Sequence, residues 1–223
     1  MFFFSHLSLA PKQSATDSVA PFPLRNAEEF VLLQKAVTLA QHVHARERRF
    51  APAACIGHPL EVVRILAEAS ADLPAQTYIA ATLHDILEYD RLRLNEIIKD
   101  FGDDVATMAW ALSKPRAIPA DDPQQQESEY VEQIARVSST HPGVLLAKMA
   151  DCIRRLESAK LSSCPDDERL LSDTREFYLP LFQQEFLHTT NTDRDAYGIL
   201  LTRLESATTH QPLPSPQNQQ IPC

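Results

Sequence analysis

The segment from Thr77 to Tyr89, TYIAATLHDILEY, is apolar at almost every position and yet carries His84 and Asp85 side by side. It is too long for a buried strand, which runs about 4–8 residues, and Pro74 stands just ahead of it where a helix can open. Having no polar face, it predicts the central, most buried helix of a bundle. That reading constrains the rest, because a buried Asp must be paired, hydrogen-bonded or bound to a cation.

The remainder of the chain supports helices. Only four Gly occur in 223 residues, and the Pro residues gather near the ends and between apolar runs, unlike a turn-rich β fold. Asn26 is a plausible N-cap, with Glu28 and Glu29 in the first turn and a helical apolar stripe from Phe30 to about Arg48. A second helix opens at His58-Pro59, with Val62, Val63, Leu66 and Ala67 as its buried stripe. LNEIIKDF is closed by Gly102, and DDVATMAWALSK follows with acids in its first turn. The stretch PRAIPADDPQQQ reads as a loop before EYVEQIARVS and PGVLLAKMADCIRRLES, and two amphipathic segments, 166–188 and 192–206, end the bundle. Residues 1–25 read as a tail or linker, 26–206 as the folded domain and 207–223 as a Pro/Gln-rich disordered end. The fold class expected is all-α.

A formal charge of −9 argues against binding a nucleic-acid polymer. Cys55, Cys152, Cys164 and Cys223 have neither CxxC nor disulfide-framework spacing, so reduced thiols in a cytoplasmic protein are expected. The start, MFFFSHLSLA, lacks a basic n-region and reaches Pro11 too soon to span a membrane.

Two further residues share the oddity of Asp85. Asp151 lies in the apolar run VLLAKMADCI, and His58 opens the second helix directly before its stripe. Taken singly, His58 reads as a helix-capping histidine, and Asp151 as the partner of Lys148, Arg154 or Arg155. Together with His84 and Asp85 they form a mixed N/O set suited to a divalent ion.

The order of these fragments carries a resemblance. GHPLEVVRIL, AATLHDILEY, FGDDVATMAWALSK and PGVLLAKMAD give His-Pro at a helix start, HD with Glu four residues after the His, FGxxVA and KxAD. The chain thus resembles the HD-superfamily hydrolase domain of the RelA/SpoT group, above all its small stand-alone alarmone hydrolases, over about residues 30–160. The resemblance implies an HD-domain helical bundle whose metal ligands are His58, His84, Asp85 and Asp151, with Mn(II) as the usual ion. It implies hydrolysis of the 3′-pyrophosphate of (p)ppGpp to GDP or GTP and pyrophosphate, by a water that the ion activates. Glu88 matches the Glu of the family's Glu-Asp pair, and Tyr89 stands in place of its Asp. Arg46, Arg49, Lys148 and Arg155 are the residues placed against the nucleotide. Phe50 replaces the Lys after the loop Arg, and Arg155 replaces an Asn that contacts ribose. These departures leave two alternatives open: an HD phosphohydrolase for another nucleotide, such as an adenine alarmone or a phosphorylated dinucleotide, or a weakly active, metal-stabilised nucleotide-binding protein.

Overall fold

The computed structural model describes residues 22–47, 56–114, 122–159, 165–189 and 193–209. Helices account for nearly all of them, and no strand occurs among the described residues. In chain order the α-helices are α1 (Ala27–Glu47), α2 (Gly57–Ala69), α3 (Ala75–Leu83), α4 (Ile86–Tyr89), α5 (Leu94–Phe101) and α6 (Asp103–Leu112). They continue with α7 (Pro123–Ser138), α8 (Gly143–Ala159), α9 (Pro165–Asp173), α10 (Leu179–His188) and α11 (Asp193–Thr209). A 3₁₀ turn, Arg91–Arg93, links α4 to α5, and a π-helical turn, Thr174–Tyr178, joins α9 to α10.

Helix α3 is the hub, packed against α1, α2, α6 and α8. Every one of its residues except Gln76 is buried, as the absence of a polar stripe requires. The neighbours bury Leu33, Val37 and Ala40 of α1, Val62, Val63 and Leu66 of α2, and Val144 and Ala147 of α8 in the common core. Tyr78 sends its hydroxyl to the carbonyl of Ser70 at 2.9 Å, giving the end of α2 a partner.

Local chemistry sets the helix starts. The Asn26 Oδ1 accepts the Glu29 amide at 2.9 Å, and the Glu29 carboxylate accepts the Arg25 amide at 2.7 Å. Gly102, at φ +88°, ends α5 in a conformation that a side chain rarely adopts.

Three expectations need correction. The run from Pro74 to Tyr89 is two helices, because the ladder breaks at His84-Asp85. There the Glu88 amide bonds to the Asp85 carbonyl at 3.1 Å, since the His84 carbonyl is taken by the Ser113 hydroxyl. DPQQQ is not loop: Asp122 accepts the amides of Gln124 and Gln125 and Pro123 is the first helical residue, so α7 starts early. The segment 166–188 is divided by the π turn, which ends just before Pro180, a residue with no amide to give to a regular ladder. At the ends, Phe22 and Leu24 pack on the core ahead of α1, and α11 runs to Thr209 with Ala207 and Thr208 buried. Residues 1–20 and 210–223 lie outside the described residues.

Helix α8 approaches α3 through Gly143. A Cβ there would overlap Thr77 Oγ1, which is buried on a β-branched side chain with little freedom to move. Gly143→Ala is therefore expected to destabilise the protein by about 1–3 kcal/mol, read as a fall in the urea midpoint at unchanged m-value.

Candidate active site

The break in the central helix is what makes the site. Leaving α3, the chain turns at His84 and Asp85 so that both side chains face a cavity of about 640 Å³, within the size range of small-molecule sites. His58, at the start of α2, and Asp151, midway along α8, reach the same place. The His84 Nδ1 lies 2.7 Å from the Ala81 carbonyl, to which it donates, so Nε2, directed at the cavity, is the nitrogen that can lose its proton and serve as a ligand.

Three ligand-type atoms then converge. His58 Nε2 is 3.2 Å from His84 Nε2 and 3.1 Å from Asp151 Oδ1, and His84 Nε2 is 4.0 Å from Asp151 Oδ1. All lie within 4.8 Å of one another. Bonds of about 2.0–2.2 Å to a shared ion, at angles near 90–110°, would set such atoms roughly 3–3.5 Å apart. Among the described residues the buried Asp151 Oδ1 has no partner in hydrogen-bond geometry, although His58 Nε2 lies only 3.1 Å away. An orphaned buried carboxylate oxygen facing two imidazole nitrogens fits a cation between them. Asp85 stands beside this group, with Oδ1 2.7 Å from His84 Nε2.

The other oxygen of Asp151 is committed: Oδ2 accepts from Lys148 Nζ at 2.8 Å. Lys148 is only 5% exposed and lies over the rings of Tyr130, at 5.2 Å, and Tyr178, at 4.7 Å. It also lines the cavity, with its charge paired to Asp151. Burial opposes both charges, but each partner overrides it, so Lys148 is pushed well above its ordinary value and Asp151 well below. Burial likewise opposes the charge on His84, yet Asp85 and Asp151 raise its pKa to about 9. Asp85, desolvated in the same way but facing His84 and His58, falls to about 2.

Glu88 sits one turn beyond His84 and accepts the Lys114 amide at 2.9 Å. Burial first, and the nearby Asp85 charge second, raise its pKa, the direction expected of a carboxyl that can hold a proton. Tyr89 lines the cavity and meets His44 edge-on, with ring centroids 5.6 Å apart. His44 is buried, its pKa lowered by desolvation, and neither ring nitrogen has a hydrogen-bond partner among the described residues. Arg155 lines the cavity on the α8 side. Arg46 is exposed in the last turn of α1 and does not line it, whereas Arg49 lies outside the described residues, as does Phe50.

The far wall went unassigned in the sequence. Glu127 of α7 is buried and holds both the Lys114 ammonium and the Tyr178 hydroxyl, and Tyr130 donates to the Leu112 carbonyl. Arg169 and Asp173 of α9 complete that side. One signal existed: Glu127, Tyr130 and Ile134 share one face of α7 at helical spacing, which places an acid on an apolar stripe.

Residues 36–185 match the HD domain family, and the chain belongs to it. Among curated relatives, it is 28% identical over 174 residues to the GTP pyrophosphokinase of Streptomyces antibioticus, covering 77% of this chain and 20% of that protein. It is 26% identical over 166 residues to the guanosine-3′,5′-bis(diphosphate) 3′-pyrophosphohydrolase of Vibrio cholerae, covering 74% and 23%. It is 28% identical over 167 residues to the bifunctional (p)ppGpp synthase/hydrolase SpoT of Escherichia coli K12, again covering 74% and 23%. The chain therefore spans about a fifth of the length of these relatives. No described helix is long and apolar enough to cross a membrane.

With a pKa near 9, His84 is protonated at neutral pH when no metal is bound, and a metal ligand must be the free base. Binding of a divalent ion near pH 7 is expected to release about one proton from it, and affinity should rise as pH rises toward 9. Calorimetric titration in two buffers of different ionisation enthalpy measures this release; equal heats in both would contradict it.

Proposed function

We propose that this chain is a metal-dependent phosphohydrolase that removes the 3′-pyrophosphate of (p)ppGpp, giving GDP or GTP and pyrophosphate. The observation that carries the reading is the orphaned Asp151 oxygen facing His58 and His84 at the floor of a nucleotide-sized cavity, with Glu88 beside it. The curated relatives whose names specify this hydrolysis support the choice of substrate.

His58, His84, Asp85 and Asp151 are the proposed ligands, and Mn(II), a borderline ion that accepts mixed N/O donors, is the proposed occupant. When bound, the ion supplies Lewis acidity toward water and toward a phosphoryl oxygen. The protein does the rest. Lys148 fixes Asp151 in one orientation, and the Ala81 carbonyl fixes the tautomer of His84. Glu88, with its raised pKa, receives the proton of the attacking water as oxygen joins the phosphorus on the ribose 3′-oxygen. That phosphorus–oxygen bond breaks, the proton taken up by Glu88 is returned to the leaving 3′-oxygen, directly or through water, so that the nucleoside diphosphate or triphosphate departs with a 3′-hydroxyl, and the pyrophosphate retains the oxygen of the water.

The test is a Mn-supplemented turnover assay with ppGpp, following pyrophosphate against orthophosphate. Pyrophosphate and GDP in equal amounts are the expected products; orthophosphate, or no product, would refute the reading. Glu88→Gln should retain the ion, checked by metal content after dialysis, while losing about 10²–10⁴ in turnover.

Tyr89 defines a further prediction. A phenol is a poor base at neutral pH, and the Tyr89 ring is packed against His44. Tyr89→Asp should restore an acidic partner to Glu88 and raise turnover about tenfold or more. A slower Tyr89→Asp together with an impaired Tyr89→Phe would instead give the phenol itself a part in the reaction.

A further inference from the structure

The cations of the cavity are unequally committed. Lys148 pairs with Asp151 at 2.8 Å, Lys114 pairs with Glu127, and Arg169 reaches Asp173 at 3.6 Å. Arg155 lines the same cavity, is exposed to it, and has no hydrogen bond or ion pair among the described residues. It follows Asp151 by four residues on α8, so both side chains rise from one helix face. A guanidinium of this kind carries a full charge, five donors in a planar fork and little internal competition for them, which suits it to phosphate oxygens. Five acids, Asp85, Glu88, Glu127, Asp151 and Asp173, line the cavity against four Lys and Arg side chains, three of them already neutralised. Among the described residues, an anionic group extending beyond the ion therefore meets one uncommitted cation, Arg155.

We propose that Arg155 binds the outer phosphate of the substrate's pyrophosphate and so makes the site selective for diphosphoryl over monophosphoryl groups. The idea rests on the phosphohydrolase reading of the cavity but not on guanosine as the nucleoside. Asp151 and Asp85 hold the charge on Arg155 in place against the partial desolvation of the wall, consistent with a position close to the reacting end.

The experiment measures binding and not turnover. Equilibrium dialysis of labelled inorganic pyrophosphate and orthophosphate, at fixed free Mn²⁺, compares the parent protein with Arg155→Ala and Arg155→Lys, and GDP is run in parallel. The parent should bind pyrophosphate at least about tenfold more tightly than orthophosphate. Arg155→Ala should lose that preference and Arg155→Lys keep part of it, since a point charge cannot reproduce the fork. GDP affinity and the melting temperature should stay unchanged, because the side chain is exposed and supports no other group. A parent protein without the preference, an alanine variant that keeps it, or equal losses for pyrophosphate and GDP would each overturn the proposal. Pyrophosphate selectivity that depends on Arg155 in a protein that leaves ppGpp intact would uphold the role of Arg155 and reject ppGpp as substrate.

Discussion

A single buried carboxylate, Asp151, determines how the bundle is wired. One oxygen is held by Lys148, which is itself held between two tyrosine rings; the other is left to face two imidazoles. Neither half is stable alone. Lys148 without Asp151 would be an unpaired buried ammonium, and breaking such a pair typically costs about 3–5 kcal/mol. Asp151 without a cation on its second oxygen keeps an unsatisfied acceptor in the core. The arrangement is a prepared half-site whose remaining polar demand is met by an ion, so metal affinity and fold stability become one quantity.

The interruption of the central helix is the second consequence of burying polar groups. A continuous helix would carry His84 and Asp85 on the hub's surface with their backbone groups locked in the ladder. Instead the Ser113 hydroxyl takes the His84 carbonyl and the His84 ring takes the Ala81 carbonyl. The next residue, Lys114, gives its amide to Glu88. The end of α6 thereby fastens both the metal side and the acid side of the cavity. This explains why two polar residues following an alanine-rich helix, far from the HD pair in sequence, matter to its geometry.

Most of the helices were legible because their signals are local: caps at Asn26 and Gly102, an apolar hub, and acids in first turns. The convergence of His58, His84 and Asp151 was legible because charged or imidazole side chains in apolar helices leave few physical options. What escaped has a common cause. The break at His84, the rings over Lys148 and the wall formed by Glu127, Tyr130 and Tyr178 all depend on contacts between distant segments, for which a single helix's periodicity holds no record. Lys148 is the clearest case, since its pairing with Asp151 is local and legible, whereas the two rings over it come from α7 and the π turn.

The π turn at Thr174–Tyr178 has an implication for how such a site diversifies. A π turn is one residue more than a regular helix needs, and it offsets everything after it by about 100° around the axis. Tyr178 owes its position over Lys148 and Glu127 to that offset. Loss of one residue between 174 and 178 would turn a different side chain into the wall while leaving α2, α3 and α8, and every ion-facing group, untouched. The chain thus separates two heritable features: a reaction centre held by the bundle's middle and a replaceable facing on its later helices. New ligand preferences can arise on the second without placing the first at risk.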